Sequence, residues 1–197
     1  MKTIFGSKVT SGLLFFLAGV IILMGIITAE IYYPAGYTTK DSEISDLGAT
    51  RPPDSVSFQP SATIFNLTMI LGGLLIILAS LILYQNLQRW LLILFPLLLG
   101  IGVIGVGIFL GNNSLIHPLF ALIAFISGGI SEIISWKMTS GPIRYLFVIL
   151  GIITLFFLFF SSAIIPVLGD GGTERYIAYP VVIWLIGFGG YLSGNNT

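Results

Sequence analysis

The chain has 197 residues, of which 56% are hydrophobic and 8% are charged, and its formal net charge is zero. Soluble domains carry about 25% charged residues, so this composition excludes a fully water-facing surface and indicates a polytopic membrane protein. The balanced charge leaves no basic footprint for nucleic acid. The absence of cysteine excludes disulfides, thiolate catalysis and cysteine-bound iron–sulfur clusters.

Apolar stretches define the predicted helices, because a helix needs about 20 apolar residues to cross the hydrocarbon core. Six stretches reach or nearly reach this length: 9–31, 62–84, 90–110, 117–136, 143–168 and 177–193. The first is too long for the apolar region of a signal peptide. The sequence therefore predicts an all-α fold, a bundle of six transmembrane helices in a single domain over residues 1–197.

The placement of lysine and arginine predicts the orientation. With both termini inside, the cytoplasmic side carries Lys2, Lys8, Arg89, Lys137 and Arg144, and the outer side carries Lys40, Arg51 and Arg175. We therefore expect a multi-pass protein of the cell membrane with a cytoplasmic N-terminus and a cytoplasmic C-terminus.

The segment between the first two spans, residues 32–61, is the only long polar stretch of the chain. Its prolines prevent one continuous helix. Its Ile44, Leu47, Val56 and Phe58 are more apolar than is typical of disorder. We expect an extracytoplasmic first loop that folds over the outer mouth of the bundle as a cap, with a short helix or a strand pair.

Glu132 lies within the fourth predicted span, where a carboxylate costs roughly 2.5–3.5 kcal/mol on insertion scales. It shares a helix face with Ser135, so we expect it to point into the bundle. Two interpretations stay open. Glu132 is either an intramembrane proton or ion site, or a structural carboxylate paired with Lys137, Arg144 or Arg89.

Asn66 and His117 lie near the predicted outer ends of spans two and four. Asn66 either lines a polar pocket under the first loop or cross-links helices. His117 precedes Pro118, a residue suited to a first helical turn. It is either an acid–base group or a helix-start histidine bonded to the first loop. With no second histidine and no cysteine, we expect no metal site.

Charged residues are expected to cluster on the outer side of the membrane. They are Glu30, Asp46, Arg51, Asp54, Asp170 and Arg175, with a turn predicted at Asp170-Gly171-Gly172. The cluster either binds a lipid headgroup, cation or small polar ligand, or forms salt bridges that hold the loops. No nucleophile motif, phosphate-binding loop or redox-ligand spacing is present, so we assign no catalytic residue and no cofactor.

Four short motifs carry a resemblance to a known family. They are Tyr33-Pro34, Ile44-Ser45-Asp46-Leu47-Gly48, Ile64-Phe65-Asn66 and His117-Pro118. With these motifs the chain resembles the family catalogued as domain of unknown function 998 (DUF998), which comprises six-span prokaryotic membrane proteins. By this resemblance, Asp46, Asn66 and His117 form a candidate site at the outer mouth.

The chain is more distantly similar to the eukaryotic Frag/DRAM/Sfk group. The similarity lies in residues 44–48, followed by Pro52-Pro53-Asp54-Ser55 and Phe58. It implies lipid-linked roles such as anchor remodelling, membrane trafficking or autophagy regulation. Neither group supplies a catalytic residue.

Three functions fit the sequence. The leading hypothesis is a non-catalytic membrane component that binds membrane lipids or other membrane subunits, because no catalytic set is complete. The second is a lipid-modifying enzyme, which requires Asp46 and His117 within hydrogen-bond reach as acid and base. The third is a small transporter or proton-linked channel, which requires a polar track from Asn66 to Glu132.

Overall fold

The computed structural model of the chain describes residues 7–194, and all regular secondary structure in that range is helical. The all-α prediction is therefore confirmed for these residues. The helices are α1 (Lys8–Ile31), α2 (Ser61–Leu87), α3 (Trp90–Ile108), α4 (Ile116–Ile134), α5 (Ile143–Phe159) and α6 (Ser161–Gly194), with single 3₁₀ turns at Ser45–Leu47 and Ser135–Lys137.

Within residues 7–194, five helices are long and apolar enough to cross a membrane: α1, α2, α3, α4 with its following turn, and α6. The fifth helix, α5, is apolar and has 17 residues, so it falls short of the same length criterion. The helical membrane character predicted from composition agrees with these lengths. The six-span count stays a prediction.

The helices form a ring in chain order. Each helix packs against the next one, α6 closes the ring against α1, and α4 also contacts α6. Glycines allow the closest approaches: a Cβ added to Gly12 of α1 would lie 2.7 Å from the carbonyl oxygen of Gly189 in α6. Such contacts are the usual source of attraction between helices in lipid, where burial of apolar surface adds little.

The predicted fifth span and the turn after it differ from the structure. Residues 143–168 are divided between α5, which ends at Phe159, and the first part of α6. Gly169 then adopts φ 78° and ψ 170°, which kinks α6, and residues 170–194 continue as helix. The predicted turn at Asp170-Gly171-Gly172 is therefore wrong.

Contact with the first loop explains why Gly171 and Gly172 are helical although a turn was predicted. The N–H of Gly172 donates to the carbonyl oxygen of Lys40 at 2.9 Å. A Cβ on Gly171 would collide with the carbonyl oxygen of Ser42. The glycines therefore serve as a docking face for the backbone of residues 40–42, a tertiary role that the local sequence does not reveal.

Candidate functional site

The first loop, residues 32–60 and hereafter the cap loop, folds onto one end of the bundle through a buried turn. Leu47 is completely buried, and Ile44 is 5% exposed. The Asp46 carboxylate accepts a hydrogen bond from the backbone N–H of Glu43 at 2.8 Å, which stabilises the turn. The hydroxyl of Ser61 in α2 donates to the carbonyl oxygen of Leu47 at 3.3 Å. The short helix expected in the cap is thus present as the turn Ser45–Leu47.

Arg175 of α6 joins the cap loop to two helices. Its Nη2 donates to Glu30 Oε1 at 2.8 Å and to the Tyr37 hydroxyl at 2.7 Å. Its Nη1 donates to the carbonyl oxygens of Thr39, Ser42 and Gly171 at 2.8–3.0 Å. Because the arginine is only 8% exposed, these charge-assisted bonds replace most of its hydration.

The polar side of the cap loop carries Glu43, Asp46 and Arg51. Arg51 pairs with Glu43 at 2.5 Å, although the arginine side chain is 65% exposed. Burial raises the pKa of the Glu43 carboxyl above its usual value, against the opposing effect of the Arg51 charge. Burial likewise raises the pKa of Asp46, while the Glu43 N–H and Arg51 oppose the rise. The two carboxyl groups therefore hold protons more tightly in the folded protein.

His117 lies in the first turn of α4 and is 7% exposed. Its Nδ1 is 2.6 Å from the carbonyl oxygen of Phe109 at the end of α3. A carbonyl can only accept, so Nδ1 carries the hydrogen, and Nε2 of the neutral ring is an acceptor. No hydrogen bond to Nε2 is found in residues 7–194. The predicted hydrogen bond from His117 to the first loop is not formed, because the partner is Phe109.

Asn66 of α2 lies beneath the cap loop. A Cβ on Gly48 would lie 2.5 Å from Asn66 Oδ1, so glycine is needed where the cap meets this amide. Asn66 Oδ1 is buried and has no hydrogen-bond partner in the described part of the chain. Asn66 therefore faces the cap, and it lines neither of the cavities described next.

Two adjoining cavities lie under the cap loop. The polar cavity has a volume of about 240 Å³, and its charged lining consists of Glu43, Arg51, Asp170 and Glu174. The apolar cavity, about 80 Å³, lies between α1, α2, α3, α4 and α6. The cavities share the lining residues Ser45, His117, Ala121, Phe125 and Glu174. Polarity therefore falls from the cap loop toward the centre of the bundle.

The polar cavity also has an apolar part to its lining. Pro118 and Leu122 of α4 belong to it, and Leu122 is 44% exposed. Leu158 of α5 and Ile165 of α6 also belong to it and lie on either side of the helix break at Phe160. The cavity is therefore bordered by apolar side chains of α4, α5 and α6, including the exposed Leu122.

Glu174 lines both cavities and was missed as a site residue by the sequence reasoning. Its carboxylate accepts a hydrogen bond from the backbone N–H of Ile44 in the cap loop. The available signal was a second charge beside Arg175, just before the sixth predicted span at 177–193. Its distance from the cap loop in sequence concealed the contact.

The predicted site residues are only partly brought together. Arg51 and His117 line the polar cavity, and Asp46 is close enough for its charge to influence both. Glu30 instead binds Arg175. Asp54 is exposed on the cap loop and lines neither cavity.

Glu132 is completely buried in α4, away from both cavities. Its Cβ packs against Gly151 of α5. Neither carboxyl oxygen has a hydrogen-bond partner within residues 7–194. The ion pair with Lys137, Arg144 or Arg89 that one interpretation required is not formed among the described residues.

An enzyme would require a hydrogen bond between Asp46 and His117, and a transporter would require a polar track from Asn66 to Glu132. The described residues form neither. Asp46 bonds to the Glu43 N–H and His117 to Phe109, with no hydrogen bond between the two side chains. The apolar cavity lies between α2, which carries Asn66, and α4, which carries Glu132. Among the described residues, the lining of this cavity is apolar except for Ser45, His117 and Glu174, so no polar track joins Asn66 to Glu132 there.

Apolar helices of membrane-spanning length and a capped internal cavity define a helical membrane protein. The chain belongs to the family described as "Protein of unknown function (DUF998)", whose model matches residues 16–191. This match confirms the resemblance seen in the sequence motifs. No curated protein matches the chain. No solved structure matches it either.

Proposed function

We propose that this protein is a six-span, non-catalytic membrane component that binds one amphiphile from the bilayer. Its headgroup would lie in the polar cavity under the cap loop, and its hydrocarbon chain would enter the apolar cavity between the helices. The observation that carries this proposal is the polarity gradient across two adjoining cavities that share His117 and Glu174.

The apolar part of the polar cavity's lining supports entry from the membrane. Pro118 and Leu122 of α4, Leu158 of α5 and Ile165 of α6 belong to it, and Pro118 and Leu122 are exposed. A water-soluble metabolite gains nothing from these side chains, whereas an acyl chain can contact them without exposure to water. Sites with an apolar lining and a few oriented polar groups are typical of small-molecule binding.

The proposal includes an orientation with both termini in the cytoplasm and the cap loop outside. Lysine and arginine placement supports it, and in it α5 with residues 161–168 forms the fifth span. The cysteine-free chain allows a direct test. An impermeant maleimide applied to intact cells should label Asp54→Cys in the cap loop and should label Ser140→Cys only after permeabilisation. The reverse pattern would overturn the orientation.

Blocking the cavity tests the binding itself. Ala121 lines both cavities, so Ala121→Phe should fill their junction. Ala163 is exposed and lines neither, so Ala163→Phe is the matched control. Lipid extracted from protein in polymer nanodiscs should contain one amphiphile per chain in wild type and control, and much less in Ala121→Phe. Equal occupancy in all three proteins would contradict the proposal.

A further inference from the structure

The polar cavity is lined by more acidic side chains than cationic ones. Three carboxylates, Glu43, Asp170 and Glu174, line it with one guanidinium, that of Arg51. Arg51 is already paired with Glu43 at 2.5 Å. Asp170, which is exposed, and Glu174, whose carboxylate accepts from the Ile44 N–H, therefore remain as acceptors with no ion-pair partner among the described residues.

His117 provides an independent indication of a ligand that donates hydrogen bonds. Its ring is more than nine-tenths buried and lines both cavities. Donation from Nδ1 to Phe109 leaves Nε2 as an acceptor with no partner in residues 7–194. Because the His117 side chain has little contact with water, a donor that reaches Nε2 from the cavity adds a favourable hydrogen bond. Ser45, also in the shared lining, can accept as well.

We infer that the amphiphile bound in these cavities carries a primary ammonium headgroup, held by Glu174, Asp170 and Nε2 of His117. This inference rests on the amphiphile binding proposed above. A primary ammonium has three N–H donors and a positive charge, which match the two carboxylates and the imidazole acceptor.

Other headgroups fit the lining less well. A phosphate would place its negative charge beside Asp170 and Glu174, and the one guanidinium in the lining is bridged to Glu43. A quaternary ammonium has the required charge but no N–H donor, so it leaves Nε2 of His117 without a partner. A neutral alcohol donates one hydrogen bond and leaves the other acceptors of the lining without a donor.

Three single-chain probes separate these chemistries in a native mass-spectrometry titration of the detergent-solubilised protein. Dodecylamine should bind roughly tenfold more tightly than dodecyltrimethylammonium or dodecyl phosphate, because charge-assisted hydrogen bonds are lost with either alternative. Equal or tighter binding of the phosphate or the quaternary amine would overturn the inference while leaving the proposed function intact. If no probe binds and no lipid is retained, both fail.

Variants test whether Glu174 and Asp170 produce the preference for a primary ammonium headgroup. Glu174→Gln and Asp170→Asn should each weaken dodecylamine binding by roughly tenfold and leave dodecyl phosphate binding equal or tighter. The amide of Glu174→Gln can still accept from the Ile44 N–H, so the fold is retained. Asp54→Asn removes an exposed carboxylate outside the cavities and is the control. If all three variants behave alike, the assignment of the headgroup to these residues is wrong.

A competition experiment shows whether the natural amine is a bilayer aminolipid or a free long-chain amine. Phosphatidylethanolamine in nanodiscs should displace dodecylamine if the natural ligand is a bilayer aminolipid. Without such displacement, preferential dodecylamine binding supports a free long-chain amine with the same headgroup chemistry.

Discussion

Oε1 of Glu30 lies 2.8 Å from Nη2 of Arg175, so an ion pair joins the last turn of α1 to α6 directly under the cap loop. The same guanidinium also binds Tyr37 and three backbone carbonyl oxygens. The cap loop is therefore attached to the bundle through one side chain that three segments of the chain share.

Replacing Arg175 should destabilise the protein far more than replacing Arg51. Arg175→Met keeps the apolar stem but leaves Glu30 and several carbonyl oxygens without their donor, which should lower the free energy of unfolding by about 3 kcal/mol. Arg51→Met breaks an ion pair whose arginine is 65% exposed and should cost less than about 1 kcal/mol. Reversible unfolding in mixed detergent measures both values. Similar losses for the two variants would refute the role given to Arg175.

Adding a methyl group at Gly171 should displace the cap loop. The new Cβ would collide with the backbone carbonyl of Ser42, so Gly171→Ala should lower stability by about 1–3 kcal/mol and speed proteolysis within residues 32–60. Gly190→Ala is the control, because a Cβ there meets nothing within 4 Å. That change should stabilise the helix slightly. A cap that stays protected in Gly171→Ala would show that the contact is not required.

Asp46 should make stability depend on pH. Burial raises the folded-state pKa of Asp46 above the unfolded value of about 3.9. Between the unfolded-state and folded-state pKa values, the native state binds more protons than the unfolded state. The contribution of Asp46 to stability is therefore greatest below this pH range and is lost as the pH rises through it. Asp46→Asn keeps an acceptor for the Glu43 N–H and should flatten this part of the curve. Unfolding measured across the acidic range would contradict the prediction if the variant and the wild type had the same slope.

Glu132 should be replaceable by glutamine without loss of stability. Its two carboxyl oxygens have no hydrogen-bond partner among residues 7–194, so an amide of the same shape removes no bond. Glu132→Gln should unfold at the same temperature as the wild type or higher. Glu132→Ala should cost roughly 2–3 kcal/mol because it leaves a cavity. A large loss in Glu132→Gln would reveal a stabilising role for the ionised group.

Hydropathy predicted the helices well where the lipid and the neighbouring helices both require apolar side chains. The predicted spans 9–31 and 62–84 overlap α1, Lys8–Ile31, and α2, Ser61–Leu87. The local sequence pattern failed just after the kink at Gly169 in α6. There Gly171 and Gly172 read locally as a turn, yet they are helical because the carbonyls of residues 40–42 dock against them.

The candidate site could be predicted only where the local sequence carries a signal. Arg51 and His117 stood out as unusual polar residues beside apolar spans, and both line the polar cavity. Glu174 offered only the weak local signal of a charge beside Arg175, because its importance comes from the contact with Ile44, far away in sequence. The shared cavities themselves depend on the spacing of five helices, which no single segment encodes.

Native mass spectrometry of the wild-type protein, released gently from its own membrane, tests the central proposal most directly. We expect a single chain that retains one amphiphile, displaced by dodecylamine and reduced in Ala121→Phe. A bare chain, or a chain in stoichiometric complex with other proteins while its cavities hold no amphiphile, would contradict the proposal. In the second case the lipid-facing helices, rather than the cavities under the cap loop, would be the binding surface.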